Sequence, residues 1–180
     1  MARYVALLRA VNVGGASSMA MAELKEVFVS CGFDRVATYI RSGNVVFGCP
    51  ETDEAAILAE IGRAVTQRWG RDVPVLLRSL AELDAMIAAN PYLAVQTDQT
   101  KLLVTMLSSD PGADKQAALA SPPGETGTLT LLGRDVFVHV PDGYGRSKLG
   151  NAFVEKKTGV VGTTRNWRSV LKLREMAAAA

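Results

Sequence analysis

The chain has 180 residues, 48% of them hydrophobic and 21% charged, which suits a folded globular protein and excludes a disordered one. Its formal net charge of +2 excludes nucleic-acid binding by bulk charge, so any basic surface has to arise from local clustering. Two cysteines, Cys31 and Cys49, and one histidine, His139, are too few for the usual zinc spacings, and no metal is expected.

The N-terminal stretch MARYVALLRAVN is interrupted by Arg9 and lacks a cleavage site, so it does not read as a signal peptide. No segment approaches the roughly 20 apolar residues of a membrane span. A cytoplasmic protein without membrane contact is the expectation. Tyr4 to Val11 is a nearly continuous apolar run, as in a central strand buried on both faces. Asn12 to Ser18 then supplies turn chemistry, with Gly14 and Gly15 suited to positive φ.

Leu24, Val27, Phe28 and Cys31 recur at the spacing of an amphipathic helix, and Gly32 with Phe33 marks its stop. VATYI and VVFG flank a short Ser-Gly-Asn turn and predict a β-hairpin. Thr52 is placed to cap a second helix, with Ile57, Ile61 and Val65 along one face and Gly70 closing it. VPVLLR reads as a fourth strand, and its proline predicts an edge position or a strand start. Ser79-x-x-Glu82 is a capping box for a third helix, stopped by Asn90-Pro91. The first half thus reads β-α-β-β-α-β.

After residue 100 a similar order begins. KLLVTML is a strand, Asp114 to Ala120 a short helix, and GTLTLL pairs with DVFVHV across Gly133-Arg134. Ser147 to Thr158 and Thr164 to Ala178 read as helices, the last with Trp167, Val170 and Leu171 inward. The second half therefore predicts β-α-β-β-α followed by a C-terminal helix, with no fourth strand. The expected domains are residues 1–90 and 101–180, joined by a linker over 91–100.

Polar residues and glycines cluster in RAVNVGG, YIRSGNVVF and the run from Gly143 to Trp167. In the third, a strand, a glycine loop and a helix start would converge backbone N–H groups into an anion site. Arg146 and Lys148 fall at that helix start, where cations are disfavoured by about 0.3–1 kcal/mol, so an anionic partner is expected. Tyr144, Ser147 and Asn151 share the segment, and Arg165 and Asn166 repeat the arrangement at the last helix. The competing reading has Arg146 and Lys148 solvated or paired with Asp142 or Glu155.

Antiparallel pairing of the first and third strands would bring Arg9 and Asn12 beside Arg41, Ser42 and Asn44 as one polar cluster. The competing reading is a polar hairpin tip. GYGRSK lacks the Gly-Lys-Ser/Thr ending of a P-loop, and Gly143-x-Gly145 has no third glycine, so no cofactor is expected. Cys31 and Cys49 read as small core residues.

LLRAVNVGG, MAELKEVFVSCGF, YIRSGNVVF and RSKLGNAFVEKKTGVVGTTRNW together resemble the signature stretches of a widespread bacterial family known only as domain-of-unknown-function family 1697. The resemblance covers nearly the whole chain. It implies an α+β protein of two ferredoxin-like subdomains and no established activity. Arg41 and Ala10 stand where relatives often carry Gln and Gly.

Three functions remain open from sequence. The first is binding of a phosphorylated or polyanionic ligand, nucleotide or nucleic acid, through Arg9, Arg41, Arg146, Lys148 and Arg165. The second is an enzyme on a small anionic substrate, with Tyr144, Lys148 or Lys156 moving a proton. The third is a protein–protein interaction module.

Overall fold

The computed structural model describes residues 1–13 and 18–180, so the turn expected at Gly14 and Gly15 lies outside the described residues. The chain divides into two compact units, Met1–Asp84 with Lys172–Ala180, and Ala85–Leu171.

The first unit is built from β1 (Ala2–Leu8), α1 (Met21–Ser30), β2 (Asp34–Tyr39), β3 (Asn44–Cys49), α2 (Glu54–Trp69) and β4 (Val75–Ser79), followed by α3 (Leu80–Ala89). Its antiparallel sheet has the order β2-β3-β1-β4, the ferredoxin-like arrangement. Tyr4, Ala6 and Leu8 of β1 join the helix-side core, and Val5 and Leu7 on the other face are also fully buried. Burial on both faces explains why β1 is an unbroken apolar run rather than an alternation. Pro74 immediately precedes β4, an edge strand, where its missing N–H costs no ladder bond.

On α1 the stripe Leu24, Val27 and Phe28 is buried, and Gly32 follows it at φ +80°. Phe33, just past that turn, stacks on Phe47 at 4.5 Å, and Phe28 meets Phe47 edge-on at 5.4 Å. Truncating Phe28 to Ala would remove one of the rings packed on Phe47 at a cost of about 3–5 kcal/mol. Asp53 rather than Thr52 caps α2, its carboxylate accepting the Ala55 N–H at 3.0 Å. The capping box at α3 forms: Ser79 Oγ accepts from Glu82 N–H at 3.2 Å, and Glu82 Oε2 accepts from Ser79 N–H at 2.8 Å.

The second unit contains β5 (Leu102–Leu107), α4 (Ala113–Ala118), β6 (Thr128–Leu132), β7 (Asp135–His139), α5 (Asn151–Thr158) and β8 (Gly162–Asn166), and α6 (Trp167–Ala179) follows β8. The sheet order β6-β7-β5-β8 matches that of the first unit. Leu103, Leu107, Val136, Val138, Leu149 and Val154 form its core. The protein is thus α+β with two four-stranded antiparallel sheets.

The repeat expected to be incomplete is complete, because β8 supplies the fourth strand. GTTRN has no aliphatic residue and hides its strand character. It pairs antiparallel with β5, from Leu103 opposite Asn166 to Leu107 opposite Gly162. Thr105 and Thr164 share a hydroxyl hydrogen bond of 2.7 Å across that pairing. A side chain at Gly162 would press on Leu107, Thr105 and the Met106 carbonyl at 3.0, 3.1 and 3.2 Å, so glycine eases the close approach of the strands there. The last helix accordingly begins at Trp167, and Trp167, Ser169, Val170, Leu173 and Ala177 are its buried residues, with Leu171 only half-buried.

The units share a further detail. β4 ends in Arg78-Ser79 and β8 in Arg165-Asn166, each arginine buried and each polar successor capping the helix that follows. Within the second unit, Tyr92 hydrogen bonds Thr130 at 2.9 Å and Gln96 meets the His139 ring at 3.0 Å, which ties down part of the segment 91–100. No helix among the described residues is long and apolar enough to cross a membrane.

Candidate functional site

The β1–β3 register places Leu7 opposite Asn44, and Leu8 N–H donates to the Gly43 carbonyl at 2.9 Å. This brings the segments RAVN and RSGN together as the strand order requires. The Asn12 side chain is consumed by the junction. Its Nδ2 donates to the carbonyls of Met19 at 3.0 Å and Arg41 at 2.8 Å, and its Oδ1 accepts from Met19 N–H at 2.7 Å. Asn12 adopts φ +57°, a conformation asparagine tolerates better than most residues.

Asn44 is fully buried and donates to the Tyr39 carbonyl at 3.0 Å, closing the hairpin. A Cβ on Gly43, at φ +74°, would overlap Val11, so the tip is packed backbone against side chain. Arg41 is exposed, and Arg9 and Ser42 are half-buried. Asn12 and Asn44 are therefore structural ties in this cluster, and Arg41 is its exposed cation.

In the second unit the expected helix start at Ser147 is not formed. Tyr144–Arg146 makes a single 3-10 turn, Ser147 is extended, and α5 begins at Asn151 after Gly150. Gly145 and Gly150 bracket only four residues, too few to repay helix nucleation. Arg146 and Lys148 therefore stand on an irregular loop pinned by fully buried Leu149. Asn151 opens α5, half-buried, and its Oδ1 accepts from Thr164 Oγ1 at 3.3 Å.

Arg165 likewise lies on β8 instead of a helix start. It is buried, its Nη1 donates to Thr163 Oγ1 at 2.7 Å and the Thr164 carbonyl at 3.0 Å, and burial lowers its pKa to about 10. Asn166 caps α6 through Oδ1, which accepts Ser169 N–H at 2.8 Å.

The loop borders a cleft of about 220 Å³ lined by Glu125, Thr126, Asp142, Arg146, Ser147 and Lys148, together with glycines 124 and 143 and Val140. Its carboxylates are turned to internal donors. Glu125 accepts Lys148 N–H at 2.6 Å and Gly127 N–H at 2.8 Å, and Asp142 accepts Thr126 Oγ1 at 2.7 Å. Those backbone donations, Lys148 before Gly127, hold the Glu125 carboxyl below its ordinary range. Arg146 makes no ion pair among the described residues, and Lys148 lies within electrostatic reach of Glu125. Tyr144 is exposed beside the loop. Arg165 and Asn166 do not line the cleft.

Sequence reasoning missed Glu125 and Thr126 as site residues. The only signal was an acid alone in the Pro- and Gly-rich loop Ser121 to Gly127, and no local pattern links it to a residue 23 positions away.

The first unit carries a cleft of about 330 Å³ at the corresponding place, between the α1–β2 connection, the end of β3 and the start of α2. Cys31, Phe33, Cys49, Glu51, Ile57 and Glu60 line it. Burial, then the charge of Glu60, pushes the Cys31 thiol up, which favours its protonated form. Glu60 is paired with Arg63 at 2.8 Å, and Glu51 accepts the N–H groups of Thr52 and Asp53 at 2.7 and 2.9 Å. The same topological position is thus lined by two thiols, apolar side chains and two glutamates in one unit and by two cations with two carboxylates in the other. Among the described residues no group of three or more His, Cys, Asp or Glu is placed to hold a metal.

The family model described as "Protein of unknown function (DUF1697)" matches residues 1–137. The chain belongs to the DUF1697 family. That match takes in the first unit's hairpin junction and the second unit as far as β7, and it ends before Arg146 and Lys148. Among solved structures, the DUF1697 chain is similar to "conserved bacterial protein SP0830" from Streptococcus pneumoniae, with a TM-score of 0.76, 20% identity and 98% of each chain covered. That likeness is one of fold. No curated protein matches the chain.

Proposed function

We propose that this protein binds a phosphorylated or polyanionic ligand, a nucleotide or a nucleic acid, at the cleft beside Arg146 and Lys148. The observation that carries this reading is the distribution of charge around the cleft. Both lining carboxylates accept hydrogen bonds from the protein's own backbone and hydroxyl groups, whereas Arg146 has no carboxylate partner among the described residues. An exposed guanidinium offers a planar fork of donors that fits phosphate oxygens. Because Arg146 and Lys148 stand on an irregular loop before α5, a phosphate here would be held by side chains and loop N–H groups, not by a helix terminus.

Fluorescence anisotropy of a labelled single-stranded oligonucleotide, with nucleoside triphosphate as competitor, tests the proposal at about 50 mM salt. Expected is salt-sensitive binding that the Arg146→Ala/Lys148→Ala double variant loses. A wild-type protein that binds neither probe, or a double variant that binds equally well, refutes it.

A further inference from the structure

The Glu125 carboxylate sits in the cleft as an anion would, on two backbone N–H groups. One oxygen accepts the Lys148 N–H at 2.6 Å and the other accepts the Gly127 N–H at 2.8 Å, and the carboxylate lies within electrostatic reach of Lys148. Glu125 is carried by a loop that starts from Pro122-Pro123-Gly124, with Gly124 at φ +78°. The side chain is not part of a core and is only half-buried, so nothing in packing requires it there. Thr126, its neighbour, is tied to Asp142 on the opposite wall at 2.7 Å, which holds the loop against the cleft.

We propose that Glu125 is an internal placeholder for the phosphate group of the ligand, occupying the Lys148 N–H and opposing the Lys148 side chain until a phosphate displaces it. This rests on the proposed function of the cleft and adds its regulation. A phosphate oxygen is a charged acceptor like the carboxylate and makes the same kind of charge-assisted bond to the freed N–H. Occupancy by Glu125 therefore competes directly with phosphate, and the apparent affinity is lowered by the fraction of protein in the closed state. The lowered pKa of Glu125 keeps the placeholder ionised through neutral pH.

The test separates occupancy from charge. Glu125→Asp keeps the negative charge but withdraws it by one methylene, beyond reach of the Lys148 N–H, whereas Glu125→Gln removes the charge. Binding of inorganic phosphate is measured by 31P NMR and calorimetry on the full chain, with melting curves confirming that each variant folds. Expected is phosphate binding about five- to tenfold tighter than wild type in both variants, the scale of one charge-assisted hydrogen bond. A Glu125→Asp variant that binds like wild type overturns the placeholder, even if Glu125→Gln binds more tightly through charge alone. In that case loss of phosphate binding in the Arg146→Ala/Lys148→Ala variant would leave the cleft's function standing. Absence of phosphate binding in wild type and in both Glu125 variants overturns the placeholder and the function beneath it together.

Discussion

Asn12 and Arg41, 29 positions apart, are joined by a hydrogen bond of 2.8 Å from the Asn12 amide to the Arg41 carbonyl. The same amide group ties both to Met19, just before α1, so one side chain fastens the end of β1, the entry to α1 and the β2–β3 turn. Replacing Asn12 with Ala removes all three bonds and leaves a non-glycine residue at φ +57°. Expected is a loss of about 1–3 kcal/mol. Urea denaturation would show it as a lower midpoint with an unchanged slope.

Gly43 and Gly133 both adopt positive φ, at +74° and +59°, but their surroundings differ. A Cβ at Gly43 meets Val11 and Leu8, whereas one at Gly133 meets nothing within 4 Å. Gly133→Ala should therefore cost only the backbone strain, about 1–2 kcal/mol. Gly43→Ala adds overlap to strain and should cost about 2–4 kcal/mol. Equal losses in the two variants would contradict the packing of the hairpin tip against Val11.

The helices that follow β4 and β8 begin with a side-chain cap, Ser79 on Glu82 N–H and Asn166 on Ser169 N–H. Each Ala substitution should lower stability by about 0.5–2 kcal/mol. Ser79 should be the costlier, since its hydroxyl makes two bonds with Glu82, accepting the N–H at 3.2 Å and donating to Oε2 at 3.0 Å. Paired thermal melts of the two variants decide the order.

Glu51 and Glu125 are both held below the ordinary glutamate value of 4.5, each chiefly by donated backbone N–H groups. A folded pKa below the unfolded one stabilises the native state above about pH 4.5 and loses that contribution as pH falls through the folded value. The Glu51→Gln/Glu125→Gln variant should thus lose less stability than wild type between neutral pH and about pH 3. Denaturation midpoints across that interval provide the comparison. Parallel curves for the two proteins would show that these carboxyls are not coupled to folding.

What could be read in the sequence was whatever a local pattern encodes. Leu24, Val27 and Phe28 announced α1, Ser79-x-x-Glu82 announced the cap of α3, and the apolar runs announced β1 and β5. The union of RAVN with RSGN followed from strand order alone, because β1 and β3 are antiparallel neighbours. β8 was hidden because its burial rests on threonine, glycine and the arginine stem rather than aliphatic residues. For the same reason Arg165 was placed one element too late. Around Arg146 the error came from reading RSKLG as helix, when Gly150 delays α5 to Asn151. Glu125 on Lys148 and Thr126 on Asp142 are contacts between loops far apart in sequence, and no period or cap motif encodes such pairs.

The most direct test of ligand binding at the cleft beside Arg146 and Lys148 is a 15N–1H NMR titration of the full chain with nucleoside triphosphate at about 50 mM salt. Expected are saturable shifts concentrated in the amides of residues 124–127 and 142–149, absent from the Arg146→Ala/Lys148→Ala variant. Shifts centred instead on residues 40–44, or no saturable shift anywhere, would contradict it.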